Sequence, residues 1–249
     1  MYKIFETVDD VSRYTAQRLI AKITAAPAAK LGLATGSTMK PVYAKLLEYI
    51  QQAPLDVSQL TTFNLDEYMG LAPQHPQSYN YFMYEHLFNH LNIPADHIHL
   101  PDGLATDTES VCSAYSSIIQ TLGGLDLQLL GIGSNGHIGF NEPQTSFASR
   151  THVVQLSEQT RIDNSRFFAE QSQMPTYAIT MGIQDILDAK EIILVATGSN
   201  KSNIMAQFFN SEIDEQLPAS ALKQHKNLTI VLDREAAALL PEQTLKSAI

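Results

Sequence analysis

Residues 31–41 read LGLATGSTMKP, an apolar run that stops at Ala34, a Thr-Gly-Ser-Thr loop, and then the opening of a stretch with helical period. The same order opens LLGIGSNGHIGFNEP at 129–143 and ILVATGSNKSN at 193–203. A short apolar strand that ends in a loop of small, hydroxyl-bearing and amide residues is how a parallel sheet hands its chain to a crossover. Outward from these three segments the sequence predicts strands at 30–34, 60–65, 125–132, 152–156, 177–181, 191–196 and 228–232. Amphipathic stretches at 9–25, 41–51, 78–91, 107–121, 201–210 and 233–240 are expected helices, several opened by an Asp or Ser cap or an early Pro. The alternation reads as an α/β chain on a mostly parallel sheet, and residues 1–249 show no linker and form one expected domain. Residues 157–175 are polar, carry two arginines and two phenylalanines, and lie between two strands, so they are either a crossover helix or a flap.

Composition narrows the class. With 249 residues and 44% apolar side chains the chain can bury a substantial core. Its net charge of -10, without a lysine and arginine stripe, argues against a nucleic-acid partner. Acidic residues interrupt the amino-terminal segment MYKIFETVDD, and no apolar run reaches membrane-spanning length, so neither export nor membrane insertion is expected. A single cysteine, Cys112, excludes an internal disulfide and fits a reducing, cytoplasmic setting.

In an open parallel sheet the carboxyl ends of the strands meet at the ligand crevice. Thr35, Gly36, Ser37 and Thr38 stand just ahead of an expected helix, where free N–H groups and hydroxyls can cradle a phosphate; Lys201 adds a cation in the third loop. Taken singly, each loop is equally a glycine turn between strand and helix. Gly131, Gly133 and Gly136 spell G-x-G-x-x-G with Glu158 at the distance of a ribose-binding acid. Pro143 and a polar stretch stand where a dinucleotide fingerprint requires an unbroken helix, so NAD is not expected, and no P-loop sequence occurs. His137 lies between glycines, beside Asn135 and five residues before Glu142, a setting for a proton shuttle whose ring is oriented by a neighbouring amide or carboxylate. The strand ending at Leu65 runs into Asp66 and Glu67; a carboxylate there is a general base or, equally, a helix cap. His86 and His90, and His97 and His99, have metal-ligand spacing without an evident third ligand, and no metal or other cofactor is expected.

ATGSTMKPVY at 34–43, TTFNLDEYMGL at 61–71 followed by HPQSYNYFM at 75–83, GIGSNGHIGFNEP at 131–143, SRTHVVQLSEQTR at 149–161, NSRFF at 164–168 and ATGSNK at 196–201 together resemble the glucosamine-6-phosphate deaminase family, over nearly the whole chain. The resemblance implies a three-layer αβα sandwich with a modified Rossmann-type sheet, and conversion of glucosamine 6-phosphate and water to fructose 6-phosphate and ammonia. By the same resemblance Asp66 matches the base that takes the C2 proton, and His137, with Asn135 and Glu142, matches the group that assists ring opening. Gly36, Ser37, Thr38, Arg166 and Lys201 match the phosphate cradle, and the position of Arg166 inside 157–175 favours the flap.

Two departures from the family pattern stand out. Many members carry Asp where Asn135 stands, which places more of the task of stabilising an imidazolium on Glu142. His152 and Val154 occupy positions where allosteric members carry an Arg and a Lys for an activator's phosphate, so simple hyperbolic kinetics are expected and self-association stays open. The rival readings are a 6-phosphogluconolactonase, which does not require FNLDEY or NEP after His137, and a non-catalytic sugar-phosphate sensor, for whose DNA-reading module the chain has neither spare length nor basic charge.

Overall fold

The computed structural model describes residues 1–165, 168 and 174–240. Its main sheet has seven parallel strands: β1 (Tyr2–Phe5), β2 (Lys30–Leu33), β3 (Thr61–Asn64), β5 (Ile98–His99), β6 (Leu127–Leu130), β9 (Ile192–Ala196) and β10 (Leu228–Asp233). They lie side by side in the order β1-β10-β9-β6-β2-β3-β5. Helices α1 (Val8–Ala25), α2 (Met39–Gln52), α3 (Tyr79–His86), α4 (Thr108–Thr121), α6 (Ile183–Leu187) and α7 (Ser202–Asn210) flank this sheet. The central strands β6 and β9 are buried along their whole length, as the unbroken apolar runs LQLL and IILVA require of strands covered on both faces. Ser78 accepts Tyr81 N–H at α3 and Asp107 accepts Ser110 N–H at α4, caps where the sequence places them, whereas α1 begins at Val8 behind a Thr7 cap that accepts Asp10 N–H.

The order of the strands determines where a ligand fits. From β2 the chain winds outward to β3 and β5; β6 then returns to the opposite side of β2, and β9 and β10 continue away from it. The winding therefore reverses between β2 and β6, and the loops leaving those two strands splay apart to leave a crevice at their carboxyl ends.

A second, antiparallel sheet joins β4 (Asp66–Tyr68), β8 (Tyr177–Thr180) and β7 (His152–Gln155). Residues 152–156 and 177–181, expected within the main sheet, belong here, because short alternating runs do not specify which edge they will meet. Leu65 is the junction: its N–H bonds Leu33 O in the main sheet at 3.2 Å, and its carbonyl accepts Met181 N–H from the second at 2.6 Å. The loop after β6 is tied to the same sheet, with Phe140 N–H on Thr180 Oγ1 at 3.0 Å and Asn141 Nδ2 on Ile138 O and Met181 O, both at 2.8 Å.

Other expectations are corrected locally. The stretch 78–91 is not one helix: α3 stops at His86, and a 3-10 turn follows over Phe88–His90. Residues 233–240 form successive turns instead of a helix, with bonds from Ala237 to Asp233, Ala238 to Glu235 and Leu240 to Ala237. The Asp233 carboxylate takes Ala236 N–H as a cap would, but it also takes Gly198 N–H through both oxygens, so it fastens β10 to the loop after β9. Strand β1, helix α6 and the 3-10 run Pro218–Gln224 were not read from the sequence. Within 157–175 the described residues include one helix, α5 (Glu158–Ser165). No described helix is long and apolar enough to cross a membrane.

In the centre of the main sheet Gly32 of β2 lies under the side chain of Gln128 on β6, and a Cβ built on Gly32 would fall 1.9 Å from Gln128 Oε1. Gly32→Ala is expected to destabilise the fold by about 1–3 kcal/mol, the usual cost of overpacking. Chemical denaturation of G32A, Q128A and the double variant checks this: the double variant should be more stable than the sum of the two single effects, since removing the amide removes the clash.

Candidate active site

A cavity of about 480 Å³ opens at the carboxyl ends of β2, β6 and β9, within the range of small-molecule sites. It brings together Thr35, Gly36, Ser37 and Thr38 after β2, Asp66 at the start of β4, His137 after β6, and Lys201 after β9. No side chain caps the amino ends of α2 or α7; the first N–H of each bonds a preceding carbonyl, Met39 to Gly36 O at 3.0 Å and Ser202 to Ser199 O, and Lys201, just before α7, donates from Nζ to Ile132 O at 2.7 Å. Arg166 lies outside the described residues.

The two acids after Leu65 have different fates. Glu67 accepts the backbone N–H groups of Tyr68, Tyr79 and Asn80 at 2.8–2.9 Å and so caps the start of α3. The Asp66 carboxylate faces the cavity and accepts no hydrogen bond among the described residues. Burial, with the charge of Glu67 as a smaller cause, pushes the Asp66 carboxyl up to about 8. An unpaired buried carboxylate of this kind is poised to take a proton, whereas Glu67 is held as an acceptor of backbone bonds.

His137 is held through Asn135. The Asn135 amide donates to Glu142 Oε2 at 2.7 Å, and because a carboxylate only accepts, this bond turns the Asn135 oxygen toward His137. That oxygen accepts the His137 backbone N–H at 3.2 Å and lies 2.7 Å from Nδ1. Nδ1 therefore carries the hydrogen and Nε2 keeps its lone pair. Glu142 Oε2 is 3.8 Å from Nδ1, so Glu142 acts on the imidazole both through the amide between them and by its own charge. Burial holds the imidazole below its ordinary pKa; Glu142 opposes this and Lys201 adds to it. The ring lies directly against Gly133, where a Cβ would fall 2.2 Å from His137 Cε1, so the glycine is needed for the close approach of the ring.

The cavity also includes residues the sequence reading did not single out. Thr197 and Asn200 sit in the loop that supplies Lys201; Tyr79, stacked on Phe140 at 5.8 Å, forms one wall; Asp163 and Asn164 reach it from α5. Thr197 and Asn200 were visible as part of the ATGSNK loop, but nothing in the sequence shows which face of α5 meets the crevice. The histidine pairs do not join the site: His90 bonds Glu85 O from beyond the end of α3, and His99 stacks on Phe63 at 4.5 Å. Among the described residues no group of three or more His, Cys, Asp or Glu is placed to hold a metal ion.

The family model described as glucosamine-6-phosphate isomerases/6-phosphogluconolactonase matches residues 5–231. The chain belongs to this family. A glucosamine-6-phosphate deaminase from a Thermoanaerobacter species is 45% identical over 246 residues, covering 98% of this chain and 97% of the relative. One from Bacillus pumilus is 48% identical over 235 residues, covering 94% and 98%. A solved structure of a monomeric glucosamine-6-phosphate deaminase superposes with a TM-score of 0.94 at 43% identity, over 96% of this chain and 99% of that one. A 6-phosphogluconolactonase from Trypanosoma brucei superposes at 0.80 with 22% identity, which speaks for the shared fold alone.

Raising the Asp66 pKa from the unfolded value near 3.8 to about 8 has a thermodynamic consequence. The folded protein holds this proton more tightly than the unfolded chain, so stability falls as pH rises between those two values. Asp66→Asn removes the penalty: its melting temperature should match the unaltered protein at about pH 4 and exceed it increasingly toward about pH 9. A gap that does not widen with pH in calorimetry would contradict the buried-carboxylate account.

Proposed function

We propose that the chain converts glucosamine 6-phosphate and water into fructose 6-phosphate and ammonia, with Asp66 and His137 as the proton-transferring groups. The observation that carries this reading is the convergence in one cavity of a buried carboxylate that accepts no hydrogen bond among the described residues, an oriented imidazole, and a lysine close to the hydroxyl-bearing loop 35–38. The names of relatives at 45–48% identity support the same substrate.

The chemistry follows from these groups. A cyclic amino sugar must pass a proton from its anomeric hydroxyl to its ring oxygen, which Nε2 of a neutral imidazole can relay. In the open chain Asp66 takes the proton from C2 and the resulting enolamine is protonated at C1, leaving an imine at C2. Water adds to that imine and ammonia leaves. Phosphate binding at Thr35, Gly36, Ser37, Thr38 and Lys201, with Arg166 as a planar fork, holds C1 and C2 against the two groups, so affinity for the remote phosphate is turned into positioning. The substrate's cationic amine, entering beside Asp66, favours the ionised carboxylate that the empty site disfavours.

A lactonase would share the fold and the loop around His137 but would release no ammonia. The reading is tested by incubating the protein with glucosamine 6-phosphate and measuring both products. Equimolar fructose 6-phosphate and ammonium are expected, with Asp66→Asn retaining sugar binding while losing at least about 100-fold in kcat, the usual contribution of a positioned general base. Hydrolysis of 6-phosphogluconolactone without ammonia release from the amino sugar is the contrary result.

The residues at the two positions of an activator's phosphate support a protein without an activator site. His152 and Val154 stand at the two positions in question, His152 Nδ1 bonds Arg150 O, and the Arg150 guanidinium is engaged by Asp185 and Asp188. Initial rates are expected to follow a hyperbola and to be unmoved by N-acetylglucosamine 6-phosphate. A sigmoidal curve relieved by that compound would count against this.

A further inference from the structure

Helix α5 does more than border the cavity. The Glu142 carboxylate is divided between two partners: Oε2 accepts the Asn135 amide at 2.7 Å, and Oε1 accepts Ser157 N–H at 3.1 Å, immediately before α5 begins. The Ser157 hydroxyl donates to Thr160 Oγ1 at 3.1 Å and accepts Thr160 N–H at 3.1 Å, which caps the first turn of the helix. Thr160 Oγ1 in turn lies 3.3 Å from His137 Nδ1. The bonds therefore close a ring that runs from His137 through Asn135, Glu142, Ser157 and Thr160 back to the same ring nitrogen. Thr160 is 1% exposed, so its hydroxyl is shielded from bulk solvent. A second tie, from the Ser134 hydroxyl to Asp163 on the next turn of α5, holds the helix on the loop that carries His137.

We propose that Thr160 is a positioning residue for His137, so that the imidazole reaches its working orientation only when α5 is docked. The hydrogen on Nδ1 has a strong acceptor in Asn135 and a weaker one in Thr160, and the two approach from different elements, so together they restrict the ring's rotation where one alone would leave it free to swing. A departure of α5 removes the hydroxyl and the Ser157 bond that steadies Glu142 in the same motion, linking access to the cavity with the state of its proton carrier.

This inference rests on the deaminase reading, and its test separates the two. Thr160→Val keeps the shape and removes the hydroxyl. We expect kcat to fall about fivefold, the worth of one buried hydrogen bond, with KM changed less than about twofold. The charged groups facing His137 are Glu142 from its own loop, Lys201 from the turn before α7 and Asp163 from α5, and all three are unaltered in this variant. The nitrogen-15 titration of the imidazole should therefore move to lower pH solely because the cation has lost an acceptor. Thr160→Ser should restore both readouts. Ser157→Ala, which releases the Thr160 hydroxyl but leaves Ser157 N–H on Glu142, should shift them in the same direction by less, and serves if the valine variant folds poorly. Unchanged kcat and titration in T160V, or a serine variant as impaired as the valine one, overturns the proposal. If the unaltered protein fails to turn over glucosamine 6-phosphate, the functional reading fails, while the imidazole titration, which needs no substrate, still decides the role of Thr160.

Discussion

Between β2 and β6 the sheet changes the direction in which it is wound, and every part of the candidate site depends on that reversal. Loops leaving neighbouring strands that continue in one direction are covered by the next crossover; loops leaving strands on either side of a reversal diverge and leave an opening. Thr35–Thr38 line one side of it and Gly131–His137 the other, with Lys201 supplied one strand further on. Asp66 enters by a different route. Its strand belongs to the small antiparallel sheet, and Leu65, bonded to both sheets, turns the chain from one into the other just before the carboxylate. Since Phe140 and Asn141 are bonded to residues of the same small sheet, that sheet sets the position of Asp66 relative to His137.

The same burial acts on the Asp66 carboxyl and the His137 imidazole in opposite senses. It raises the pKa of the Asp66 carboxyl and lowers that of the His137 imidazole, so both are drawn toward their uncharged forms. For the imidazole this keeps a lone pair available on Nε2; for the carboxylate it stores a preference that a cationic substrate can reverse. Asn135 and Glu142 refine this: the Glu142 charge, 3.8 Å from Nδ1, partly opposes the effect of burial on the imidazole. The carboxylate orients the amide, the amide orients the imidazole, and the second carboxylate oxygen reaches the helix that borders the cavity.

Glu67 and Asp66, adjacent in sequence, are used differently by the fold. Glu67 shares the residue class of Asp66 and is equally buried, yet three backbone N–H groups commit it to starting α3. Alternation along β4 sends the two side chains to opposite faces, and the Asp66 carboxylate, toward the crevice, accepts no hydrogen bond among the described residues.

Much of the site was legible in the linear chain because its parts are local. Strand, loop and helix follow one another within a dozen residues in LGLATGSTMKP and ILVATGSNKSN, and Asn135, His137 and Glu142 fall in one loop. Composition and local pattern by themselves thus determined an α/β chain with anion-suited loops and a histidine beside an amide and a carboxylate. Only the tertiary structure decided that 152–156 and 177–181 leave the main sheet, that Asp66 and not Glu67 faces the cavity, and that Thr160, Asp163 and Asn164 come to the site from α5. The physical reason is that hydrophobic period and capping signals act over a few residues, whereas the sheet a strand joins and the partner a polar side chain finds are set by contacts between segments far apart in the chain, which no short window of sequence contains.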